Sequence, residues 1–367
     1  MNVHHAPDDA EIGAPAALRG ITWDHPRGYA PLEALMPELE RRFGVKVQWT
    51  RRSLREFGDT SVTDLARKFD LLVIDHPHCG QAARDGVLLP LDTLLTSGEY
   101  NEITADPVGP SLESYQLDGH LWALPIDTAV QSACLRPDLT DVFPQTWAEL
   151  LTSELPFAVP LCPTDAFCTF LTLCAQAGIP ADGEGVFLQD PRLAEVLHLL
   201  CQLSDRAHPC SLDMNPIQLY EHMCVHTDIP YCPLAFCYIG YADRLRFGSI
   251  PGRRHGLLGG AGLAVSTRCP SPDRAVRAAA WLCSAACQNG LYLQHQGQPA
   301  HGQAWRADTP FFRDLRDTLE QAYLRPRVPG WNRFQEAAGD RLHTFLTTHR
   351  PVQELQAELQ SIWDTSL

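Results

Sequence analysis

The chain has 367 residues, of which 45% are hydrophobic and 20% are charged; this composition excludes a disordered protein and suits two folded lobes. The formal net charge of −15 argues against a nucleic-acid-binding protein and against a partner of anionic membranes, because both need a basic surface. No stretch reaches the roughly 18 consecutive apolar residues that a membrane-spanning helix requires, so we expect no membrane insertion.

The N-terminal segment and the cysteines both bear on the compartment. Residues 1–20 contain Asp8, Asp9 and Glu11 but no basic cluster followed by an apolar stretch, so no secretory signal peptide is recognised. Thirteen cysteines, an odd number, are poorly suited to an oxidising compartment, where leftover thiols mispair. We therefore expect a cytoplasmic protein, or a periplasmic one if an upstream signal was lost, with a disordered tail over residues 1–17.

The first 75 residues predict a βαβ unit. A short strand in LRGITWDH precedes a helix whose apolar residues recur at helical spacing, namely Leu32, Leu35, Met36, Leu39 and Phe43. Pro37 interrupts this pattern and Gly44 is a stop signal, so the helix is either kinked or starts late. VKVQW is the next strand. FDLLVID, which ends at Asp75, is an apolar run typical of the middle of a parallel sheet.

The rest of the chain alternates turn signals with helical patterns. Asp-Gly at 118–119 predicts a hairpin, and TWAE at 146–149 is a capping box that opens a helix. An alanine-rich helix is predicted after Ser271, with Gly290 as its end. Residues 311–367 predict three helices separated by loops that contain proline.

Seven sets of segments, taken together, resemble a known family. In chain order they are ITWDHPRGYAPLEALMPELERRF, DLLVIDHPHCGQAARDGVLLPLD, YQLDGHLWALPIDTAVQSACLRPDL with FPQTWAELL, CPLAFCYIGY, LLGGAGLAVST with PDRAVRAAAWLC, QGQPAHGQAW, and RPRVPGWNRFQEAAGDRLHTFLT. In this order they resemble the extracellular solute-binding proteins of family 1, the carbohydrate-binding proteins of ABC transporters related to maltose-binding protein. The likeness spans residues 18–365.

The resemblance implies an α/β, two-lobed periplasmic-binding-protein-like fold of type II, with a hinge between the lobes and a helical C-terminus. Lobe 1 would take residues 18–125 and 264–308, and lobe 2 would take residues 126–263 and 309–367. The implied protein is a bacterial, monomeric, non-catalytic receptor without a cofactor. It would close on a small polar solute by hinge motion and deliver it to the permease of an ABC importer.

Candidate ligand-binding residues follow from where strands end, since ligands of α/β sheets collect beyond the carboxyl ends of the strands. The loops after the first and third strands and the crossing strand supply Trp23, Asp24, His25, Arg27, Asp75, His76, Asp127 and Gln131. The family pattern adds Tyr238, Tyr241, Gly260, Trp331 and Asn332. Carboxylates accept hydroxyl hydrogens and aromatic faces cover the C–H side of a sugar, so these residue types suit a polyhydroxylated ligand.

Three alternatives stay open at this level. Arg27 would suit an acidic ligand, such as a sugar acid or an organic anion. A cytoplasmic enzyme or ligand sensor on the same scaffold, acting on a small polar or acidic metabolite, is the second functional hypothesis, and an interaction protein without a ligand is the third. The histidine-containing segments 75–79 and 222–226 lack the spacing of strong zinc motifs, so no metal site is predicted.

Overall fold

The computed structural model describes residues 15–252, 255–348 and 351–367. The predicted disordered tail therefore lies largely outside the described residues, although the first strand already begins at Ala16. The strands are β1 (Ala16–Trp23), β2 (Val45–Arg52), β3 (Leu71–Ile74), β4 (Gln116–Leu117), β5 (His120–Leu121), β6 (Leu124–Leu135), β7 (Tyr231–Phe236), β8 (Arg246–Gly248) and β9 (Leu258–Val265).

Sixteen α-helices are assigned within the described residues. They are α1 (Pro26–Ala34), α2 (Met36–Phe43), α3 (Leu54–Asp59), α4 (Val62–Ala66), α5 (His78–Asp85), α6 (Ser97–Ala105), α7 (Trp147–Thr152), α8 (Pro163–Gln176), α9 (Leu193–Arg206), α10 (Pro216–Val225), α11 (Pro272–Leu282), α12 (Ala285–Cys287), α13 (Gly302–Trp305), α14 (Pro310–Glu320), α15 (Trp331–Thr348) and α16 (Val352–Ser366). None of the described helices is long and apolar enough to span a bilayer.

One mixed sheet runs through both lobes. Its strand order is β2-β1-β3-β9-β6-β7, and β8 pairs with the end of β6 on the side opposite β7. Strands β1, β2 and β3 are parallel, as the βαβ pattern predicts, whereas β9 is antiparallel to both β3 and β6. The sheet and its helices form the predicted two-lobed α/β fold of the periplasmic-binding-protein type.

Three clusters of buried apolar side chains build the two lobes. The first packs strands β1 and β3 against helices α2, α5 and α11. The second is mainly helical and joins α8, α9, α15 and α16. The third packs β7 and β8 against α10 and α14. The C-terminal helices therefore belong to the core of the second lobe, while the exact lobe boundaries stay a prediction.

Two long strands connect these cores. Ile126 of β6 belongs to the first cluster, whereas Ala129, three residues on, belongs to the third. Strand β9 runs between the same two clusters in the opposite direction, since Leu258 belongs to the third cluster and Leu263 to the first. The pairing of β6 with β9 is irregular between Pro125 and Asp127, so the ladder is interrupted where the strands pass between lobes.

Local sequence signals explain several of the observed boundaries. The predicted helix is interrupted at Leu35, which separates α1 from α2, so Pro37 lies in the first turn of a second helix. Gly44 ends that second helix with φ of 61°. Asp118 and Gly119 both have positive φ and connect β4 to β5, which confirms the hairpin.

Two predicted helix signals differ in detail from the structure. Thr146 accepts a hydrogen bond from the backbone N–H of Glu149, but the Glu149 side chain binds the backbone of Gln145 instead of completing the capping box. Helix α11 ends at Leu282, well before Gly290, because Ser284 caps a new short helix there. The three C-terminal helices are confirmed.

Candidate functional site

A cavity of about 270 Å³ lies between the two lobes, beside the crossing strands. Its floor contains Asp127 and Ala129 of β6 and Gly259 and Gly260 of β9. The lining comprises Trp23, Arg27, Leu54, Arg55, Phe57, Gly58, Asp75, Asp127, Ala129, Cys162, Pro163, Thr164, Asp165, Cys168, Asp213, Asn215, Pro216, Gln218, Phe236, Tyr238, Gly259, Gly260, Arg325 and Gln335. Both lobes therefore contribute walls to a single cavity.

Six of the thirteen predicted site residues meet at this cavity. They are Trp23, Arg27, Asp75, Asp127, Tyr238 and Gly260. Trp23 is the last residue of β1 and Asp75 follows β3, as expected for side chains at the carboxyl ends of parallel strands. Gly260 has φ of 112°, and a Cβ there would lie 2.4 Å from the backbone oxygen of Asp127, so the close crossing of β6 and β9 requires glycine.

The first buried ion pair at the cavity joins Arg27 to Asp127. The Arg27 guanidinium donates from Nε to Oδ2 of Asp127 over 2.7 Å and from Nη2 to Oδ1. Its other terminal nitrogen, Nη1, donates to the carbonyl oxygen of Cys237 over 2.9 Å. It also lies over the Tyr238 ring, 4.4 Å from the ring centre. Burial alone would lower the pKa of Arg27, but the Asp127 carboxylate raises it above its usual value, so the guanidinium stays charged.

The second buried ion pair joins Asp75 to Arg325, which follows α14. One Arg325 nitrogen lies 2.8 and 2.6 Å from the two oxygens of Asp75, and another donates to Gln335 over 3.0 Å. Burial would raise the pKa of Asp75, yet Arg325 and His76 lower it overall. Both predicted carboxylates are therefore neutralised by arginines of the same chain.

Three predicted residues do not line the cavity but contact residues that do; they are His25, His76 and Tyr241. His25 caps α1 by accepting from the Arg27 backbone N–H at 3.1 Å, and its ring packs 4.9 Å from Tyr238 and 6.0 Å from Tyr241. Burial, helped by Arg27, lowers the pKa of His25 to about 4, so the ring is neutral. His76 is buried and its Nδ1 lies 3.1 Å from Asp75. Burial likewise lowers the pKa of His76 to about 4.

The other predicted residues lie outside the cavity lining. Asp24 is exposed and lies 3.7 Å from Arg51. Gln131 is buried and accepts a hydrogen bond from Thr172 in the second lobe. Asn332 donates to the carbonyl oxygen of Gly58 at 3.2 Å and thus bridges α15 to α3.

Trp331 lies in the core of the second lobe and not in the cleft. It is fully buried, and its ring packs against Phe167, Phe334 and Trp363 at centroid distances of 5.6–6.1 Å. The expected stacking of Trp331 on a ligand is therefore replaced by aromatic packing between helices.

Several cavity residues were not identified from the sequence. Arg325 lies within the RPRVPG segment of the resemblance, but its pairing with Asp75 spans 250 positions and leaves no local signal. Asp165, in the first turn of α8, receives a hydrogen bond from the Cys162 thiol over 2.8 Å. The rings of Phe57 and Phe236 add to the aromatic lining that Trp23 and Tyr238 provide.

Two donor groups at the cavity have no protein partner. Nε1 of Trp23 and Nε of Arg325 are buried and make no hydrogen bond, although both residues line the cavity. A buried unpaired donor is costly, so an acceptor such as a ligand hydroxyl oxygen that reached either N–H group would be bound favourably.

The histidines near residue 222 form ordinary side-chain contacts. His222 Nε2 lies 2.9 Å from Asp228, and the rings of His222 and His226 are 4.3 Å apart. Across the described ranges, no three His, Cys, Asp or Glu side chains are arranged to hold a metal ion. All thirteen cysteines are free thiols, and nine of them are buried.

The chain matches no family model. Solved structures, however, match it over nearly its whole length. A ribitol-bound ABC transporter solute-binding protein from Agrobacterium radiobacter is 18% identical, with 95% of this chain and 98% of that chain covered and a TM-score of 0.80. The two-lobed fold is that of the MalE-like binding proteins.

Other MalE-like structures agree with this assignment of the fold. A tagatose-bound solute-binding protein from Thermotoga lettingae is 15% identical over 95% of this chain and 99% of that one, with a TM-score of 0.80. Maltose-bound MalE3 of T. maritima is 16% identical over 95% and 100% of the two chains, with a TM-score of 0.79. In this fold, the cavity between the lobes is the place where a solute can be enclosed.

Proposed function

We propose that this protein is a non-catalytic receptor of the family-1 solute-binding type that encloses a small carbohydrate or polyol between its lobes. The observation that carries the proposal is the interlobe cavity, where aromatic walls meet unpaired buried donors. Trp23, Phe236 and Tyr238 offer ring faces to C–H groups, while Nε1 of Trp23 offers a hydrogen to a hydroxyl oxygen. The similar proteins are named as bound to ribitol, tagatose and maltose, which supports the same ligand class here.

The cavity size supports a short ligand. A volume of about 270 Å³ lies just below the usual range of ligand pockets, about 300–1,000 Å³. We therefore expect a monosaccharide-sized sugar or polyol and not a long oligosaccharide. Delivery of the solute to an ABC importer permease is part of the proposal, since similar proteins are named as ABC transporter components.

The charge arrangement argues against the acidic-ligand alternative and against glycosidase-like chemistry. Arg27 and Arg325 would be the natural ligands of a carboxylate, but each is already held by a buried aspartate. The same pairing argues against Asp75 and Asp127 as a general acid and base, because the oxygens of both carboxylates are occupied by guanidinium groups.

The proposal is tested by isothermal titration calorimetry with pentitols, hexitols, ketohexoses, maltose and sugar acids. We expect at least one neutral sugar or polyol to bind, and Trp23→Phe to weaken that binding by about 1 kcal/mol, roughly fivefold, because the ring stays and the N–H donor is lost. The matched control is Asp24→Asn, the next residue along the chain, whose exposed side chain lies outside the cavity. Its affinity should equal that of the unmodified protein.

Two results would contradict the proposal. One is a complete lack of binding across the panel by correctly folded protein. The other is turnover of any of these compounds, which would move the assignment to the enzyme hypothesis.

A further inference from the structure

The charges around the cavity do not balance. Its lining contains three arginines and four aspartates. Arg27 and Arg325 each neutralise one aspartate, as described above. The third arginine, Arg55, lies 3.4 Å from Asp59 and 3.6 Å from Asp340, which are both outside the lining. Asp165 and Asp213 are left without a cation.

The two remaining aspartates differ in their surroundings. Asp213 is exposed, so water screens its charge. Asp165 is only partly exposed and lies in the first turn of α8, where the Cys162 thiol donates to its Oδ2. Within the part of the chain that the structure describes, no lysine, arginine or histidine forms an ion pair with Asp165. A carboxylate in this position lacks the compensation that Asp75 and Asp127 have.

The position of Asp165 at the start of its helix compensates only part of its negative charge. An acidic residue in the first turn interacts favourably with the helix dipole, as Glu56 of α3 and Glu99 of α6 do at equivalent positions. The side chains of Glu56 and Glu99 are exposed to solvent, whereas Asp165 lines the cavity between the lobes. Burial also raises the pKa of Asp165 to about 7, which agrees with an uncompensated carboxyl.

Two separate groups indicate that this cavity receives an occupant with polar atoms. Trp23 and Arg325 are each at least nine-tenths buried, both line the cavity, and each has one N–H group without a hydrogen-bond partner. They can bind hydroxyl oxygens but not a cation, so they leave the charge of Asp165 uncompensated. The same walls include Phe236 and Tyr238, whose ring faces attract a cation as well as C–H groups.

We propose that the solute in this cavity is an amine-bearing sugar or polyol, whose protonated nitrogen is bound by the carboxylate of Asp165. This inference rests on the proposed function and narrows its ligand class. The ligand amine supplies the cation that the cavity lacks, while its hydroxyl groups use the donors of Trp23 and Arg325. Amine and carboxylate then form a charge-assisted hydrogen bond in a site of low water content.

The ion pair makes binding depend on pH in a defined direction. Below about pH 7 Asp165 holds a proton, which an amine must displace, so the affinity for an amine falls as the pH falls. A neutral sugar has no such requirement. The other titratable groups that act on this region are Cys162 and Cys168 of the α8 segment, Tyr238, and Asp59 of α3. Burial raises the pKa of Asp59 to about 6, so this carboxyl titrates in the same pH range.

Calorimetry with matched ligand pairs tests the inference. The pairs are 1-amino-1-deoxy-D-glucitol with D-glucitol, and D-glucosamine with both D-glucose and N-acetyl-D-glucosamine, measured from pH 5.5 to 8. We expect the amine of at least one pair to bind at least tenfold more tightly than its neutral partner at pH 7.5. This ratio should decrease toward pH 5.5, and proton release should accompany amine binding below pH 7.

Variants locate the effect at Asp165. Asp165→Asn should reduce the ratio of amine affinity to neutral-ligand affinity to about one and remove its pH dependence. Asp24→Asn makes the same charge change outside the cavity and should keep the preference. If Asp165→Asn does not fold, Asp59→Asn removes the other nearby carboxyl that titrates in this pH range. A pH dependence of the ratio that persists in Asp59→Asn assigns it to Asp165, and its loss would overturn the role of Asp165.

The outcomes separate this inference from the proposed function. Neutral sugars that bind as tightly as their amine partners at every pH would overturn the inference and leave the receptor function standing. An amine preference that persists in Asp165→Asn would overturn the role of Asp165. A lack of binding by every ligand of both panels would overturn the proposed function and this inference together.

Discussion

The buried pair of Arg27 and Asp127 shows how single residues shape this cleft. The Asp127 side chain is fully buried, and the Arg27 side chain is 4% exposed, so each charge depends on the other for compensation. The guanidinium uses Nε and both terminal nitrogens for hydrogen bonds to Asp127 and Cys237. Arg27 is thus held rigidly in the cavity wall, where its guanidinium lies over the Tyr238 ring.

Loss of one partner of this pair should destabilise the fold. We expect Asp127→Asn to lower the free energy of unfolding by about 3–5 kcal/mol, because it leaves the Arg27 guanidinium buried without a counter-charge. Urea denaturation followed by circular dichroism measures the effect.

Two comparisons make this result specific. Glu33→Gln removes the partner of Arg51, 2.7 Å away on the surface, and should leave the urea midpoint close to that of the unmodified protein. Replacing both buried partners, Arg27→Met with Asp127→Leu, should recover part of the lost stability. An Asp127→Asn midpoint equal to that of the Glu33→Gln control would contradict the prediction.

At the scale of elements, helix α5 approaches the segment after α14 unusually closely. A Cβ built on Gly80 of α5 would lie 1.6 Å from the backbone oxygen of Arg327. The Arg327 side chain in turn donates to the carbonyl oxygens of Glu113 and Gln116. This backbone contact fixes the second-lobe segment that carries Arg325 against the first lobe, so the element packing sets the position of a cavity residue.

We expect Gly80→Ala to lower the free energy of unfolding by about 1–3 kcal/mol, because a backbone atom at this distance cannot move aside as a side chain can. Thermal and urea unfolding measure the change. Gly98→Ala in α6 is the control, since a Cβ there meets no atom within 4 Å and alanine favours a helix. Equal stability of the two variants would show that the segment shifts without cost.

At the scale of the whole molecule, buried ion pairs cross the interface between the lobes. Asp75 follows β3 of the first lobe, whereas Arg325 and its partner Gln335 belong to the second. In the proposed receptor, closure of the lobes would therefore bring opposite charges together as well as enclose a solute. The ligand identity, the importer partner and the compartment stay predictions.

Removal of this contact should shift the ligand-free protein toward an open arrangement. We expect Arg325→Met to increase the radius of gyration measured by small-angle X-ray scattering, because Asp75 loses its counter-charge and gains by exposure to water. A saturating ligand should restore the compact form. Arg306→Met, which breaks the exposed pair with Asp106, is the control and should not change the scattering. Identical curves for both variants would exclude a role of Arg325 in closure.

Short-range signals in the sequence predicted most of the local structure correctly. The hairpin at Asp118 and Gly119 and the helix end at Gly44 follow from backbone preferences that act within a few residues. The placement of Trp23 and Asp75 at the cavity also follows from the sequence, since the carboxyl ends of parallel strands meet at one sheet edge. The order of segments predicted the two-lobed fold.

The pairing of side chains was decided by the tertiary structure alone. Asp127 and Asp75 looked like free carboxylates because their arginines lie 100 and 250 positions away in the chain. Trp331 looked like a stacking residue because the sequence does not say which face of α15 meets the helices of the second lobe. Local structure depends on neighbours along the chain, whereas the charge and the exposure of a side chain depend on what folding places beside it.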